Sequence, residues 1–290
     1  DSNEYSFLSA SGASLVHLPN QSAIKLTCSN DAASKIQLRT NSYYKYQAGR
    51  GLRNRISLYH QDKGQLHQIR RWGYFDDENG LFWELSGTNL NIVRRSKASG
   101  VVVDTRLSQS GWNGDTMDGT GESKEIVDIT KGNIWEFTLQ WLGVGDVKFY
   151  IDTHLVHIMM NHNKYAEPYM STANLPLSWE ISNSYATTNS SMTYICAAIS
   201  VEGGEDPYHY SFASFNAADI SVGLTETPLL VIRPTTYYPS SSNTLVNRSA
   251  IVPNKLTVST EGLRAGYRIV MNPTSISGGD WQPVSERSGV

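Results

Sequence analysis

Hydrophobic and polar residues alternate with a period of two along most of the chain. The clearest run is NIWEFTLQWL, residues 133–142, in which Trp135, Phe137, Leu139 and Trp141 alternate with a mostly polar set. Successive side chains of a strand point to opposite faces, so these four large apolar residues are expected to share one buried face. Truncation of Trp141 to Ala should then cost about 3–5 kcal/mol of stability.

Similar runs fill the rest of the chain. GVGD supplies a turn before VKFYID, and LVHIMM, which is apolar on both sides, is expected to be a central strand. Other strand-like runs are LFWEL, NLNIVRR, SGVVVDTRL, LSWEIS, SMTYICAAISVEGG, YSFASFN, LLVIRP, KLTVST and YRIVMN. One segment, SNDAASKIQLRT, could form a short helix. Strands at this density predict an all-β, antiparallel β-sandwich with little helix.

The stretch RRWGYFDDENGLFWEL, residues 70–85, places three acidic residues between two strand-like flanks. Asn79-Gly80 is a strong hairpin signal because both residues tolerate positive φ. We therefore expect Asp76, Asp77 and Glu78 at the tip of a turn. A catalytic pair would need two carboxylates facing each other across a cleft, which consecutive residues at a hairpin tip do not supply.

A composition shift at GLTETP, residues 223–228, predicts two parts. Residues 1–222 would form the β-sandwich with an N-terminal arm. Residues 223–290 would form a C-terminal β segment that could also belong to the same domain. Both chain ends mix apolar and small polar residues without a clear core pattern, which is typical of arms that order against a neighbouring chain.

Composition narrows the class of protein. The net charge is −3, with 18% charged and 39% hydrophobic residues, so a globular core is expected and nucleic acid is not an expected partner. There is no apolar run near 18 residues, hence no expected membrane span. The only cysteines, Cys28 and Cys196, exclude a disulfide scaffold and a cysteine metal site. They could pair with each other or both be reduced.

Candidate chemical sites are few. His154, His157 and His162 lack the helical spacing that places two histidines on one metal, so surface or core-edge histidines are preferred to a zinc site. The glycine-rich loop WNGDTMDGTGES offers oxygen ligands for calcium without the usual spacing of a calcium loop. Its calcium candidates are Asp115, Asp118 and Glu122. The sequence contains no nucleophile elbow, P-loop or zinc-protease motif, so neither a catalytic residue nor a cofactor is predicted.

Tyrosines and arginines supply the candidate binding surface. Both residue types are enriched at protein interfaces, and tyrosine also stacks on sugars. The interface candidates are Tyr43, Tyr44, Tyr46, Arg70, Arg71, Tyr237 and Tyr238.

Two resemblances extend these inferences. The segment IWEFTLQWLGVGDVKFYIDTHLVH resembles the strand pair of concanavalin-like jelly rolls, although Thr153 stands where glycine is usual and the glucanase E-x-D-x-x-E strand is absent. Longer stretches resemble structural proteins of double-stranded DNA phages and large DNA viruses, found in tails, fibres and capsids. These stretches are RRWGYFDDENGLFWEL, QSGWNGDTMDGTG, WLGVGDVKFYID, YMSTANLPLSWEI and LLVIRP.

The viral resemblance implies a non-enzymatic structural protein of the virion that assembles with itself or with neighbouring capsid or tail proteins. The alternative is a receptor-binding or glycan-binding module on the particle surface, with a host glycan as its partner. A polysaccharide-cleaving enzyme is the third hypothesis. Exposed aromatic residues in a concave sheet would favour the glycan-binding hypothesis, and a large interface with edge strands paired between chains would favour the structural one.

Overall fold

The computed structural model describes residues 4–203, and beyond them 220–223, 225–233, 251, 253, 256–260 and 266–270. The chain divides into two compact units, Asp1–Asp206 and Pro207–Val290. The boundary near residue 223 stays a prediction.

In the second unit, the described residues of LLVIRP, KLTVST and YRIVMN form no strand, contrary to the prediction of a β segment there. Alternation alone does not make a strand, because an extended segment also needs a neighbour to receive its hydrogen bonds. YSFASFN, Tyr237 and Tyr238 lie outside the described residues.

The first unit contains fourteen described strands, β1 to β14, and two short 3-10 turns, Pro19–Gln21 and Gln109–Gly111. In chain order the strands are Tyr5–Ala10, Ser14–Leu18, Ala23–Cys28, Lys35–Thr40, Leu52–His60, Gln68–Phe75, Gly80–Ser86, Asn89–Ser96, Val103–Ser108, Asn133–Leu139, Val147–Ile151, His154–Met159, Leu177–Asn183 and Ser190–Val201.

The strands form two antiparallel sheets of seven. The first sheet has the order β1-β4-β13-β6-β7-β8-β9, and the second has the order β12-β11-β10-β5-β14-β3-β2. Strands β6 to β9 and β10 to β12 are meanders, whereas the chain passes between sheets from β1 to β2 and from β13 to β14. The predicted all-β sandwich is confirmed.

Aromatic side chains from both sheets form the core. Trp135 of β10 lies 5.0 Å from the rings of both Trp72 and Trp83 on the facing sheet, and Trp83 also meets Phe149 edge-on at 5.5 Å. Such edge-to-face arrangements suit the quadrupoles of the rings. Trp135, Phe137 and Leu139 are buried as predicted, but Trp141 lies beyond the end of β10 and is only half-buried.

The alternating polar faces carry ion pairs. On the second sheet, Glu136 is almost fully buried because Arg53 and Arg55 both bind its carboxylate at 2.6 Å. A carboxylate so removed from water needs this degree of pairing.

The acidic hairpin forms between β6 and β7 as predicted, but Asn79-Gly80 is not its turn pair, because Gly80 already begins β7 and pairs with Phe75. Its tip is Asp77-Glu78, and the amide of Asp76 donates to the Asn79 carbonyl at 2.9 Å. Asp76 is buried rather than solvated, since its carboxylate accepts the amides of Glu78 and Asn79, both at 2.8 Å. Gly80 is required by close approach, because a Cβ there would lie 2.1 Å from the Cβ of Phe75.

Three other expectations were wrong. Residues 35–40 form β4 instead of a helix, because Ile36, Leu38 and Thr40 alternate into the core. LVHIMM contributes to β12, which is an edge strand, and residues 113–115 cover that edge by donating to Val156 and Leu155. The N-terminal segment is not a free arm, since β1 pairs with β4 and β2 with β3.

Candidate functional site

Three loops at one end of the first sheet surround a cavity of about 360 Å³. They are the β5–β6 loop, the β7–β8 turn and the start of the β13–β14 loop. Leu66 and Ile69 line it with apolar surface, and the polar side chains are those of His67, Gln68, Ser86, Thr88, Asn89 and Ser184. The pairing of β6 with its two neighbours brings the three loops together, because Gln68 of β6 pairs with Asn183 of β13 and Ile69 of β6 pairs with Ser86 of β7.

Backbone contacts hold the three loops together. The amide of Gly87 donates to the Gln68 carbonyl at 2.9 Å, and the amide of Ser184 donates to the His67 carbonyl at 2.8 Å. Gly64 has φ +111°, and a Cβ there would lie 1.9 Å from the carbonyl oxygen of Gly87. Only glycine permits this contact between two loops. The cavity wall is therefore built by close backbone packing.

A buried polar cluster supports the base of the cavity. The Gln68 side chain donates to Asn183 at 2.9 Å and accepts from Arg70 Nε at 2.8 Å. Arg70 also binds the Asp62 carboxylate at 2.6 Å and the Ser190 hydroxyl at 2.7 Å. Burial would raise the pKa of Asp62, but its hydrogen bond from Ser190 and the charge of Arg70 hold that pKa below its ordinary value. These contacts fix the amide of Gln68 in one orientation.

An exposed tyrosine ring lies next to the lining residues His67 and Ser184. Tyr185 is 68% exposed, and its ring centroid lies 5.2 Å from that of His67. His67 adopts φ +66°, a left-handed conformation that is unfavourable for a residue with a Cβ. Strained residues of this kind are common in ligand sites. The two rings are tilted by 42° to each other, so they present adjacent aromatic surfaces beside the cavity.

The lining defines the chemistry available to a ligand. Apart from His67, every lining side chain is neutral at all ordinary pH values, with hydroxyl and amide groups next to apolar surface. Such a set can donate and accept hydrogen bonds and stack an aromatic ring on a ligand. Among the described lining residues, no carboxylate is placed for acid–base chemistry.

A second cavity of about 220 Å³ adjoins the first and shares Thr88 with it. It is lined by apolar side chains including Leu90 and the exposed Ile126, with Lys63 and Asp118 at its polar side. The β7–β8 turn thus stands between two depressions on the same end of the sandwich.

Neither predicted arginine is available to a ligand. Arg70 points into the core, where it is buried in the polar cluster described above. Arg71 lies on the outer face of the first sheet and binds Glu84 at 2.9 Å and Glu180 at 3.1 Å. Glu84 is completely buried and also receives Arg106 at 2.7 Å. This network neutralises the carboxylates of that face.

The predicted tyrosines lie elsewhere on the sandwich. Tyr43, Tyr44 and Tyr46 are half-buried in the loop after β4. Tyr44 forms a bridge with Leu175, and Tyr46 packs edge-on against Trp141 at 5.8 Å. Each has an intramolecular role, so none of them belongs to the cavity.

The calcium candidates do not gather into a metal site. Asp115 accepts the amides of Met117 and Ser123, while the hydroxyls of Thr120 and Thr116 lower the pKa of Asp118 to about 2. Within the described part of the chain, no three acidic, histidine or cysteine side chains could share a metal ion.

The remaining histidines and cysteines are separate. His157 accepts the amide of Asn113 at 3.3 Å, and His162 contacts Asp146 at 2.8 Å. Cys28 is buried and Cys196 exposed, and both are free thiols. No helix among the described residues is long and apolar enough to cross a membrane.

Comparisons with known proteins give fold neighbours only. No protein-family model and no curated protein matches the chain. A botulinum neurotoxin DC binding domain, solved in a complex with SialylT, is 12% identical with a TM-score of 0.41; the alignment covers 68% of this chain and 42% of that one. The chain thus spans less than half the length of that relative.

Two further structures cover more of the neighbour. An endo-β-1,4-glucuronan lyase from the fungus Trichoderma reesei is 10% identical with a TM-score of 0.45, and 67% and 89% of the two chains are covered. The Emp46p carbohydrate recognition domain in its metal-free form is 10% identical with a TM-score of 0.39, covering 68% and 87%. None of these neighbours is a viral structural protein.

The cavity residues were missed by the sequence analysis. Tyr185 lies in a polar loop between two strand-like runs, and the same criterion that selected Tyr43 applies to it. His67 had no comparable signal, because its importance comes from a backbone conformation and from two loops distant in sequence.

Proposed function

We propose that this chain is a non-enzymatic carbohydrate-binding module and that the cavity between the β5–β6, β7–β8 and β13–β14 loops receives a neutral sugar. The observation that carries the proposal is the exposed Tyr185–His67 ring pair beside a cavity lined by hydroxyl and amide groups.

The chemistry of the site matches that of a sugar. A pyranose has an apolar face formed by C–H groups and an equator of hydroxyls that donate and accept hydrogen bonds. The ring of Tyr185 supplies the stacking surface, and Asn89, Ser86 and Ser184 supply neutral donors and acceptors. The cavity volume lies at the lower end of the range for small-molecule sites, which suits one or two sugar units.

Neutral groups also set the specificity. With Gln68 and Asn89 as its amides, the described lining holds no lysine or arginine to pair with a sialic or uronic carboxylate. The preferred ligand is therefore an uncharged oligosaccharide, and acidic glycans should bind more weakly because they would lose hydration of their carboxylate without a compensating partner.

A glycan array probed with the full chain tests this function, followed by calorimetry on the best ligand. Tyr185→Ala should weaken binding about tenfold, the loss expected for one stacked ring. Tyr165→Ala is the matched control, since Tyr165 is also exposed but its ring contacts Arg94, whereas the Tyr185 ring contacts the lining residue His67. Absence of binding to every neutral glycan, or unchanged affinity in Tyr185→Ala, would contradict the proposal.

A structural role in a virus particle is the second candidate. It is supported by the resemblance of residues 70–85 and other stretches to phage and large-virus structural proteins, and by the uncharged edge strand β1. Electron microscopy of the purified chain at rising concentration should show ordered arrays if the chain forms a shell or tube. Particles no larger than dimers at all concentrations would count against this role.

A further inference from the structure

Strand β1 is an edge of the first sheet with no covering segment among the described residues. It pairs with β4 on one side only among the described strands, and its sequence YSFLSA contains no charged residue. The opposite edge strand, β9, carries Asp104 and Arg106, and the β12 edge is covered by residues 113–115. The β2 edge of the second sheet, SLVHL, like β1 has no acidic residue, lysine or arginine. Proteins normally place charges or covering segments on such edges, because a bare edge pairs with other chains.

The side chains of β1 show that the core-facing side of this edge is open. Phe7 is in register with the buried Leu38 and therefore lies on the core-facing side, yet it is 62% exposed. Tyr5, on the same side, does reach the core, where its ring centroid lies 6.3 Å from that of Trp179. On the outer side, Leu8 is also mostly exposed. A phenylalanine in this position leaves apolar surface that a neighbouring strand would bury.

The hydrogen-bond phase of β1 determines which residues face outward. The amide of Asn41 donates to the Glu4 carbonyl at 2.8 Å, which makes Glu4 and Asn41 a hydrogen-bonded pair. Hydrogen-bonded and non-hydrogen-bonded pairs alternate along an antiparallel ladder, so Ser6 and Leu8 bond to β4. The N–H and C=O groups of Tyr5, Phe7 and Ser9 consequently point to the free edge.

We propose that two copies of this chain dimerise by antiparallel pairing of β1 with β1 about a twofold axis at Phe7. The outward residues are symmetric about Phe7, so Tyr5 of each copy meets Ser9 of the other and the two Phe7 side chains meet at the axis. Roughly six backbone hydrogen bonds would form, and a sheet of seven strands would become a continuous sheet across both copies. No like charges are opposed, because β1 carries none.

A second copy suits this edge better than an unrelated peptide. When β1 of one copy pairs with β1 of the other, the same strand supplies the donors and acceptors on both sides of the ladder. A twofold interface presents the same patch on both subunits. The dimer does not depend on sugar binding, and its contacts lie on a different edge from the loops that form the cavity.

Cross-linking tests the interface and its register in the full chain. In a Cys196→Ser background, which leaves only the buried Cys28 thiol, Phe7→Cys should be captured efficiently by a short bifunctional maleimide, since paired Cα atoms in such a ladder lie about 5.5 Å apart. Ser9→Cys is the matched control. In the dimer the two thiols of Ser9→Cys would be four residues apart along the ladder, about 14 Å, and should cross-link poorly.

Sedimentation equilibrium gives the independent readout. The wild-type chain should be dimeric at high micromolar concentration, and Phe7→Lys should be monomeric because two ammonium groups would meet at the axis. Val103→Lys, on the exposed opposite edge, should leave the dimer intact. A monomeric wild-type chain, or equal cross-linking of Ser9→Cys and Phe7→Cys, would overturn the proposal. Loss of the dimer in Val103→Lys with retention in Phe7→Lys would do the same.

Discussion

His60 should make the stability of the sandwich depend on pH. Its ring is buried at the end of β5 and packs at a tilt of 56° against Trp72, with a centroid distance of 4.8 Å. Neither ring nitrogen has a hydrogen-bond partner among the residues that the structure describes. Burial, with the nearby positive charge of Arg70, lowers the pKa of His60 to about 3. The folded protein therefore holds this imidazole neutral, whereas the unfolded chain protonates it near pH 6.5.

The sign and size of the effect follow from proton binding. Between the two pKa values the unfolded chain binds the extra proton, so unfolding becomes more favourable as the pH falls below about 6.5. Above that pH the contribution is fully present, and near pH 3 the folded ring would also protonate. On lowering the pH from 7.5 to 5.0, His60 alone should remove about 2 kcal/mol from the free energy of unfolding.

Urea unfolding of the wild-type chain and of His60→Phe at both pH values isolates this contribution. Phenylalanine keeps a ring against Trp72 but cannot titrate, and all other ionisable groups are shared by the two proteins. We expect the wild type to lose about 2 kcal/mol more than the variant over this range. Equal losses in the two proteins would show that His60 is not held neutral and that its burial is wrongly assigned.

Three other substitutions probe the fold, each measured by urea denaturation. Gly80→Val should cost about 3 kcal/mol because its Cβ would collide with Phe75, whereas Gly132→Ala, in open space, should change stability by less than about 0.5 kcal/mol. Equal effects would refute the close approach. Trp135→Ala should cost about 3–5 kcal/mol and clearly exceed Trp141→Ala, since only Trp135 is fully buried; the reverse order would contradict the register of β10. Glu84→Ala should cost about 2 kcal/mol, because it leaves two arginines without a shared carboxylate; an unchanged stability would show that the network contributes nothing.

Local sequence patterns were sufficient to predict most strands of the sandwich. The acidic hairpin and the buried face of β10 follow from alternation and turn residues within about fifteen positions. The error at residues 29–40 was avoidable, because Ile36, Leu38 and Thr40 already alternate with period two. The edge position of β12 was not predictable in this way, since the backbone edge of β12 is covered by residues 113–115 from a separate loop.

The candidate site lay beyond such patterns for a physical reason. Its wall depends on the contact between Gly64 and Gly87, and its ring pair joins His67 to Tyr185, more than a hundred residues away. Arg70 and Arg71 illustrate the same limit. Adjacent residues on a strand point to opposite faces, so one arginine supports the cavity from inside while the other neutralises carboxylates outside.

Binding of a neutral glycan in the loop cavity can be located by an NMR titration of the ¹⁵N-labelled chain with the best ligand from the glycan array. We expect saturable shifts confined to the amides around the cavity, among them those of His67, Thr88 and Ser184, and about tenfold more sugar to saturate them in Tyr185→Ala. Shifts centred on either sheet face, or no shift at millimolar sugar, would contradict binding in the cavity.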